Sequence, residues 1–580
     1  MKRKAWLAAS IVLAALFAVY ALSGHRSPGP MDKLVQLVLL VPAAGSLAWF
    51  LSGRTSSDLT GRTVGAIGRP APALFLGAVC LAVFAFCTWT AFGPLEGIPK
   101  GGDEFAVFFQ SRILAGGNLA APVPPVEDPG RFFFCRALVM ERGLWFGQYT
   151  PTHSLFMVPF VLIGASALLG PIEAVLSLIG LYLLVKRWAG DPMARVAVLL
   201  TALSPFFLLM SATHMAHNSN LMLVTWALYL LTVHWQDGLF RHAVASGFLL
   251  GLALTTKPYP VTAWSLCLAV LLVSRGRKGL RAIGGLVLGG LLPVAGLLVT
   301  NRYYTGSPFR MPYQLARTGR LLGFGEDKAW FPVFGDYDHT VWRGVKNLVH
   351  QVAVGTVSLF GWPFLSLVPM AFALTVVRRD RRVLWLYSLL VLIALMLMLH
   401  AWPGIIYGPR HYYTFLPVMI VLSMIGFRFL LRKARNRWSE RGGSFVLLFT
   451  AGLFAVTLLL YLPEEVSWKS GPWLNIDGKP MEFAAEYAAP PALVFMEVGS
   501  YGYPNLMSGL IFTSPYMDGD YIFCAHQTPA EDTEMMEAFP DRSAWLFWWD
   551  GESSHIEPWS PGLAAVLEPA GEFEARPVLD

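Results

Sequence analysis

Long apolar runs, each closed by a few charged or aromatic residues, follow one another from Ala5 to Tyr461. Their length and apolarity predict about thirteen membrane crossings, near 5–22, 34–51, 72–92, 154–185, 196–213, 221–235, 243–256, 260–273, 282–300, 358–377, 383–399, 414–431 and 444–461. Several are shorter than the ~20 residues of a straight crossing. The stretch 154–185 is too long for one helix and is interrupted at Gly170-Pro171, so it reads as one crossing plus an interfacial piece. Beyond Leu462 the pattern changes. Strand-like runs at Ala492–Val498, Tyr521–Ala525 and Ala544–Trp549 alternate with a helical run from Pro529 to Phe539. The expected fold is a polytopic α-helical membrane protein with a small extracytoplasmic α/β C-terminal domain. Residues 1–70 supply two extra N-terminal helices, 71–461 the main membrane domain with outer loops at about 92–153 and 301–357, and 462–580 the polar domain.

Composition supports lipid as the solvent. Of the 580 residues 55% are hydrophobic and only 14% charged, against about 25% charged in soluble domains. The formal net charge of +7 hides a division. Residues 462–580 hold 20 Asp and Glu against 4 Lys and Arg, so the remainder carries +23. That positive charge sits in short loops: Arg54, Arg62, Arg69; Lys186, Arg187, Arg195; Arg241; Arg275, Arg277, Lys278, Arg281; Arg378, Arg379, Arg381, Arg382; and Arg432 to Arg441. Every one of these falls on the same side of the expected crossings, which by the positive-inside rule is cytoplasmic. The N-terminus is then inside and the acidic domain outside. A basic charge distributed this way is a topology signal rather than a nucleic-acid footprint. The five cysteines form no CxxC or Cys/His metal spacing.

Candidate chemistry gathers in the outer segments. Asp103 and Glu104 open an amphipathic run about ten residues past a membrane exit, on a segment expected to lie at the bilayer surface. Acids in a first helical turn suit the helix dipole, and Asp103 as a simple helix cap is the bland reading. The sharper reading is a general base facing a membrane-bound acceptor. Lys257, Arg302, Arg410 and His411 are outer-side cations at helix ends, suited to holding a phosphate. For Lys257 and Arg410 the competing role is an interfacial anchor. Arg112, Tyr149 and His153 are candidate substrate contacts. No cofactor is implied; a divalent metal held by His214, His217, Asp336, Asp338 and His339 is the weaker alternative.

The order of short motifs resembles the GT-C glycosyltransferases, specifically bacterial relatives of protein O-mannosyltransferases and of aminoarabinose transferases that modify lipid A. The carrying residues are Asp103-Glu104, Tyr149-Thr150-Pro151-Thr152-His153, Ser204-Pro205, Gly251 to Lys257, Asn301 to Pro308, and Gly408-Pro409-Arg410-His411-Tyr412, spread over about residues 70–430. The resemblance implies 11–13 crossings and transfer of a sugar from a polyprenyl-phosphate donor to a lipid, glycan or protein acceptor, with inversion. It implies catalytic roles for Asp103 and Glu104. The two N-terminal helices and the C-terminal domain depart from the family pattern.

Two other functions fit a polytopic chain: a lipid or sugar transporter, and a non-catalytic scaffold. Transporters place ionisable residues at mid-membrane. Here the apolar runs hold almost none apart from Glu173, and no Walker A motif is present. The topology is testable. A cysteine placed at Ser553 should react with a membrane-impermeant reagent in intact cells, and protection of that site would refute the assigned sidedness.

Overall fold

A computed structural model describes residues 2–22, 30–54, 59–316, 323–326, 338–377, 380–402, 404–498 and 505–570. Among these, five helical stretches are long and apolar enough to cross a membrane: Asp32–Ser52, Pro72–Phe92, Ser166–Ala189, Gly276–Thr305 and Arg410–Asn475. Asp191–Ala202 and Pro205–Ser211, bent by 66°, add a sixth if taken as one span. The chain is a multi-pass membrane protein, and this test of length and composition selects five or six stretches, of which Arg410–Asn475 covers two of the thirteen expected crossings. Several of the other expected crossings are short. Phe240–Thr256 and Arg381–Leu397 have 17 residues and Pro258–Val273 has 16, about 25 Å of helix against a hydrocarbon core of about 30 Å. The ambiguous 154–185 region divides into a helix at Thr152–Leu162, a short turn at Ser166–Leu168 and a helix at Leu169–Ala189. The Arg410–Asn475 stretch is not one rod either, because Trp438 and Ser439 (φ 53°) leave helical geometry.

Polar contacts sort the loops into two ends. Arg195 donates to the carbonyls of Ile67 and Pro70, Arg187 pairs with Asp237, and Arg441 donates to Trp49 O. The basic loops therefore meet at one end of the bundle. Lys33 pairs with Glu464 at 2.8 Å at the opposite end of the helix that carries Trp49. Arg378, Arg379 and Asp336 lie outside the described residues.

One helix, Val341–Ser358, falls in the expected outer loop 301–357 and is inside out by the standard of a soluble protein. It buries Arg343, Asn347 and Gln351 and exposes Val341, Trp342, Val349 and Val352. Spacing of four brings the polar residues onto one inward stripe, while the apolar face is left to a nonaqueous surrounding.

The first long loop and the C-terminal segment form one continuous layer. In that loop, helix Gly102–Ala115 is followed by a small antiparallel sheet of β1 (Ala121–Pro122), β2 (Leu138–Glu141) and β3 (Leu144–Gly147) in the order β1-β3-β2. The C-terminal segment builds a second sheet from β4 (Ala492–Met496), β5 (Tyr521–Ala525), β6 (Ser543–Trp549) and β7 (Ser554–Pro558). Its order is β5-β4-β6-β7, parallel except for β7. All five residues of β4 and of β5 are buried, as expected for parallel strands covered on both faces.

Phe105, Phe109 and Ile113 share one hydrophobic cluster with Leu493, Phe495, Phe523 and Leu546, while Val107 packs with Met157, Leu169 and Ala216. The helix expected at the bilayer surface is thus buried in protein between the C-terminal sheet and the membrane helices. Arg112 fixes that docking: its guanidinium donates to the carbonyls of Ile511 (2.9 Å) and Thr513 (2.8 Å), and Tyr516 donates to Ile113 O. Replacing Arg112 with Ala should cost about 2–4 kcal/mol through two lost charge-assisted bonds. Thermal unfolding and proteolysis of the C-terminal segment would read this, and unchanged protease resistance would show the docking to be purely apolar.

Candidate active site

The first turn of helix Gly102–Ala115 presents two carboxylates in different settings. Gly101 is the N-cap and Asp103 lies inside the first turn, so the capping role for Asp103 is not the one observed. Its carboxylate instead accepts a hydrogen bond from the Tyr149 hydroxyl and faces Lys257 Nζ at 3.7 Å and Arg410 Nη2 at 3.4 Å. The Asp103 side chain is 11% exposed. Burial alone would raise its carboxyl, but Arg410, then Lys257 and the Tyr149 bond, outweigh it and hold the group well below the usual carboxylate range.

Each partner is placed by local backbone chemistry. Lys257 separates helices Phe240–Thr256 and Pro258–Val273 in an extended conformation (φ −140°, ψ 95°). Pro258 disfavours a helical conformation at the residue before it and then starts the next helix. The Lys257 ammonium also sits 4.3 Å over the Tyr149 ring, which stacks on Tyr313. Arg410 follows Gly408-Pro409. Gly408 has φ +116°, and a Cβ there would come within 2.7 Å of the Phe206 ring, so the turn that delivers Arg410 requires glycine.

Glu104 points the other way and is 1% exposed. It accepts hydrogen bonds from the backbone N–H of His214 and the hydroxyl of Tyr407, each at 3.1 Å. Burial pushes its carboxyl up to about 7, against the lowering effect of those bonds.

The structure therefore brings Asp103, Glu104, Tyr149, Lys257 and Arg410 together. His411 lies alongside, its ring 5.1 Å from His400 and 6.3 Å from His217. The remaining candidates are elsewhere. Arg302 is exposed on helix Gly276–Thr305 and has no ion pair among the described residues. Arg112 is engaged by the C-terminal segment. His153 is buried one layer back, between Ser219 Oγ (2.6 Å) and His214 O (3.0 Å). The alternative metal set does not assemble: no three His, Cys, Asp or Glu side chains among the described residues are grouped to hold an ion. His214 turns to Ser166, His339 bonds Met398 O, and Asp336 is outside the described residues. Tyr407 and His400 were not anticipated. Tyr407 directly precedes the Gly408-Pro409-Arg410 motif, and that adjacency was the available signal.

Residues 157–300 match the dolichyl-phosphate-mannose-protein mannosyltransferase family. The matched stretch contains Lys257 but neither Asp103 nor Arg410. Among solved structures, the chain resembles ArnT from Cupriavidus metallidurans bound to undecaprenyl phosphate, with a TM-score of 0.50 and 11% identity, over 82% of this chain and 93% of that one. In fold the chain is similar to the GT-C glycosyltransferases. At 11% identity this GT-C likeness is one of fold. The Archaeoglobus fulgidus oligosaccharyltransferase in complex with Zn and sulfate aligns at a TM-score of 0.49 and 13% identity, over 81% of this chain and 67% of that one. No curated protein sequence matches the chain.

The two adjacent carboxylates make opposite contributions to stability. Glu104 has a folded-state value above the unfolded 4.5. It is therefore neutral in both states at low pH, and it subtracts stability as pH rises from about 4.5 to about 7. Asp103, held low, adds stability above the ordinary carboxylate range and loses it on acidification. Glu104→Gln should remove the first effect and reduce the loss of stability between pH 5 and pH 8 by about 3 kcal/mol. Unfolding in detergent across that range is the measurement. Parallel curves for wild type and variant would mean that Glu104 ionises at its ordinary value.

Proposed function

We propose that the protein is a membrane glycosyltransferase that moves a sugar from a polyprenyl-phosphate-linked donor to a lipid, glycan or protein acceptor. The reaction takes place on the outer face of a bacterial cytoplasmic membrane, with the N-terminus inside and the C-terminal segment outside. The observation that carries this reading is a nearly buried carboxylate held between a lysine and an arginine, in a chain with the GT-C fold.

Three requirements of the chemistry have residues in place. The acceptor hydroxyl or amine attacks the anomeric carbon, the carbon–oxygen bond to phosphate breaks, and the configuration inverts. The departing phosphate needs cations, and Lys257 and Arg410 supply them. The acceptor proton needs a base, and Asp103 takes it. Both cations face Asp103. An arriving phosphate competes for them, and the Asp103 carboxyl loses the charges that keep its basicity low. Asp103 thus becomes a competent base once donor is bound, which disfavours proton abstraction in its absence. Glu104, enclosed and bonded on both oxygens, orients the helix turn. The reading invokes no cofactor, because Lys257 and Arg410 already provide the positive charge.

Purified protein in nanodiscs with a synthetic polyprenyl-phosphate sugar tests the proposal. Asp103→Asn should lower transfer by about 10²–10⁴-fold with donor still bound. Near-normal transfer in Asp103→Asn, in Glu104→Gln and in the double variant would end this reading. Lys257→Ala and Arg410→Ala should each weaken donor binding by about 1.5–3 kcal/mol, with Lys257→Arg only partly restoring it. Unchanged donor affinity in both alanine variants would make these residues interfacial anchors.

A further inference from the structure

Glu173 is a buried ionisable residue that the reaction does not use, and it lies in the span Ser166–Ala189. It is 1% exposed. Its Oε1 is hydrogen-bonded to the Ser219 hydroxyl. Ser219 Oγ is in turn 2.6 Å from His153 Nδ1, and His153 Nε2 is 3.0 Å from the carbonyl oxygen of His214. Ser219, His153 and His214 are all at least nine-tenths buried. The chain ends one residue from the active site, because the backbone N–H of the same His214 is a donor to Glu104.

Counting protons constrains this chain. A carbonyl only accepts, so His153 Nε2 must carry a hydrogen. The two remaining bonds, Glu173 to Ser219 and Ser219 to His153 Nδ1, have only one serine hydrogen between them. A further proton is required, either on the Glu173 carboxyl or on Nδ1. The second choice makes an imidazolium and a carboxylate separated by a serine, both deep in the protein. It also leaves Glu173 Oε2, which has no hydrogen-bond partner, carrying part of an uncompensated charge. Such burial is expensive. The first choice leaves only an unfilled lone pair on a neutral oxygen. The titratable side chains facing Glu173 are His153, reached through Ser219, and Tyr413, whose hydroxyl is bonded to Ser211.

We infer that Glu173 is held as a neutral carboxylic acid that donates to Ser219, sets His153 as its Nε2–H tautomer, and so fixes the residue 214 turn that presents its N–H to Glu104. Glu173 is a positioning residue for the transfer reaction proposed above, and its role rests on that reading. The turn is braced by direct backbone contact too. A Cβ at Gly170, one helical turn before Glu173, would lie 2.4 Å from Ser211 O and 2.8 Å from Thr213 O. Helix and turn therefore meet at Gly170 with no side chain between them.

The protonation arm of the test does not depend on activity. Infrared spectra of the full-length protein near neutral pH, in a Glu104→Gln background to remove the buried acid of the site, should show a protonated-carboxyl stretch. That stretch should disappear in Glu104→Gln/Glu173→Gln. Identical spectra from the two proteins would overturn the assignment whether or not the protein transfers sugar. The positioning arm reads kcat against KM for the donor. Glu173→Ala and Ser219→Ala should each lower kcat by about tenfold or more at unchanged donor KM. Glu173→Gln, whose amide N–H can replace the acid as donor, should restore most of the rate lost in Glu173→Ala. Wild-type kcat in a folded Ser219→Ala protein would show that the chain does not position Glu104. A wild-type protein with no transfer activity would defeat the functional reading while leaving the infrared result standing on its own.

Discussion

The pairing of Asp103 with Lys257 and Arg410 is the constraint around which this end of the molecule is organised. A nearly buried carboxylate must be compensated, and here the compensation comes from segments 154 and 307 residues away in sequence. Lys257 comes from a break between two helices, Arg410 from a glycine-proline turn, and Asp103 from the first turn of an outer helix. Each is fixed by a backbone device that leaves little freedom. The cluster thus holds three distant parts of the chain together. Its strength depends on exclusion of water, because the same ion pairs at an exposed surface would contribute little.

That exclusion is largely the work of the C-terminal segment. Phe105, Phe109 and Ile113, on the helix bearing Asp103 and Glu104, share a core with the parallel strands β4, β5 and β6. Lys100, fully buried just ahead of that helix, donates to the carbonyls of Gly471 and Ile476 and pairs with Glu96. The outer sheet is therefore part of the support of the carboxylates and not an appendage. This explains why the helix is buried on several faces although its sequence reads as only moderately amphipathic.

The two adjacent acids illustrate how environment divides chemical labour between similar groups. Asp103 meets two cations and a phenol hydroxyl and stays charged. Glu104 meets a backbone N–H and a phenol hydroxyl, without a cation as close, and burial raises it toward neutrality. One residue of helical rotation, about 100°, separates the two settings. A pair of acids with ionisation pushed in opposite directions is the pattern from which acid–base roles are assigned.

The sequence by itself determined the solvent and marked the residues of the candidate site. Apolar runs and basic loops required a lipid-embedded bundle with its basic loops at one end, since charge and apolarity are local properties of the chain. The glycine, proline and acid motifs marked Asp103, Glu104, Tyr149, Lys257 and Arg410, because tight turns and first-turn acids are also written locally. Only the tertiary structure decided which cations face Asp103. It removed Arg302 and Arg112 from the site and put His153 behind it. It also joined Glu173 to Glu104 through Ser219, His153 and the His214 turn. These are contacts between segments far apart in the chain. Partnership at such distances is set by packing and by the need to compensate buried charge, and neither is encoded in the spacing of residues along one segment.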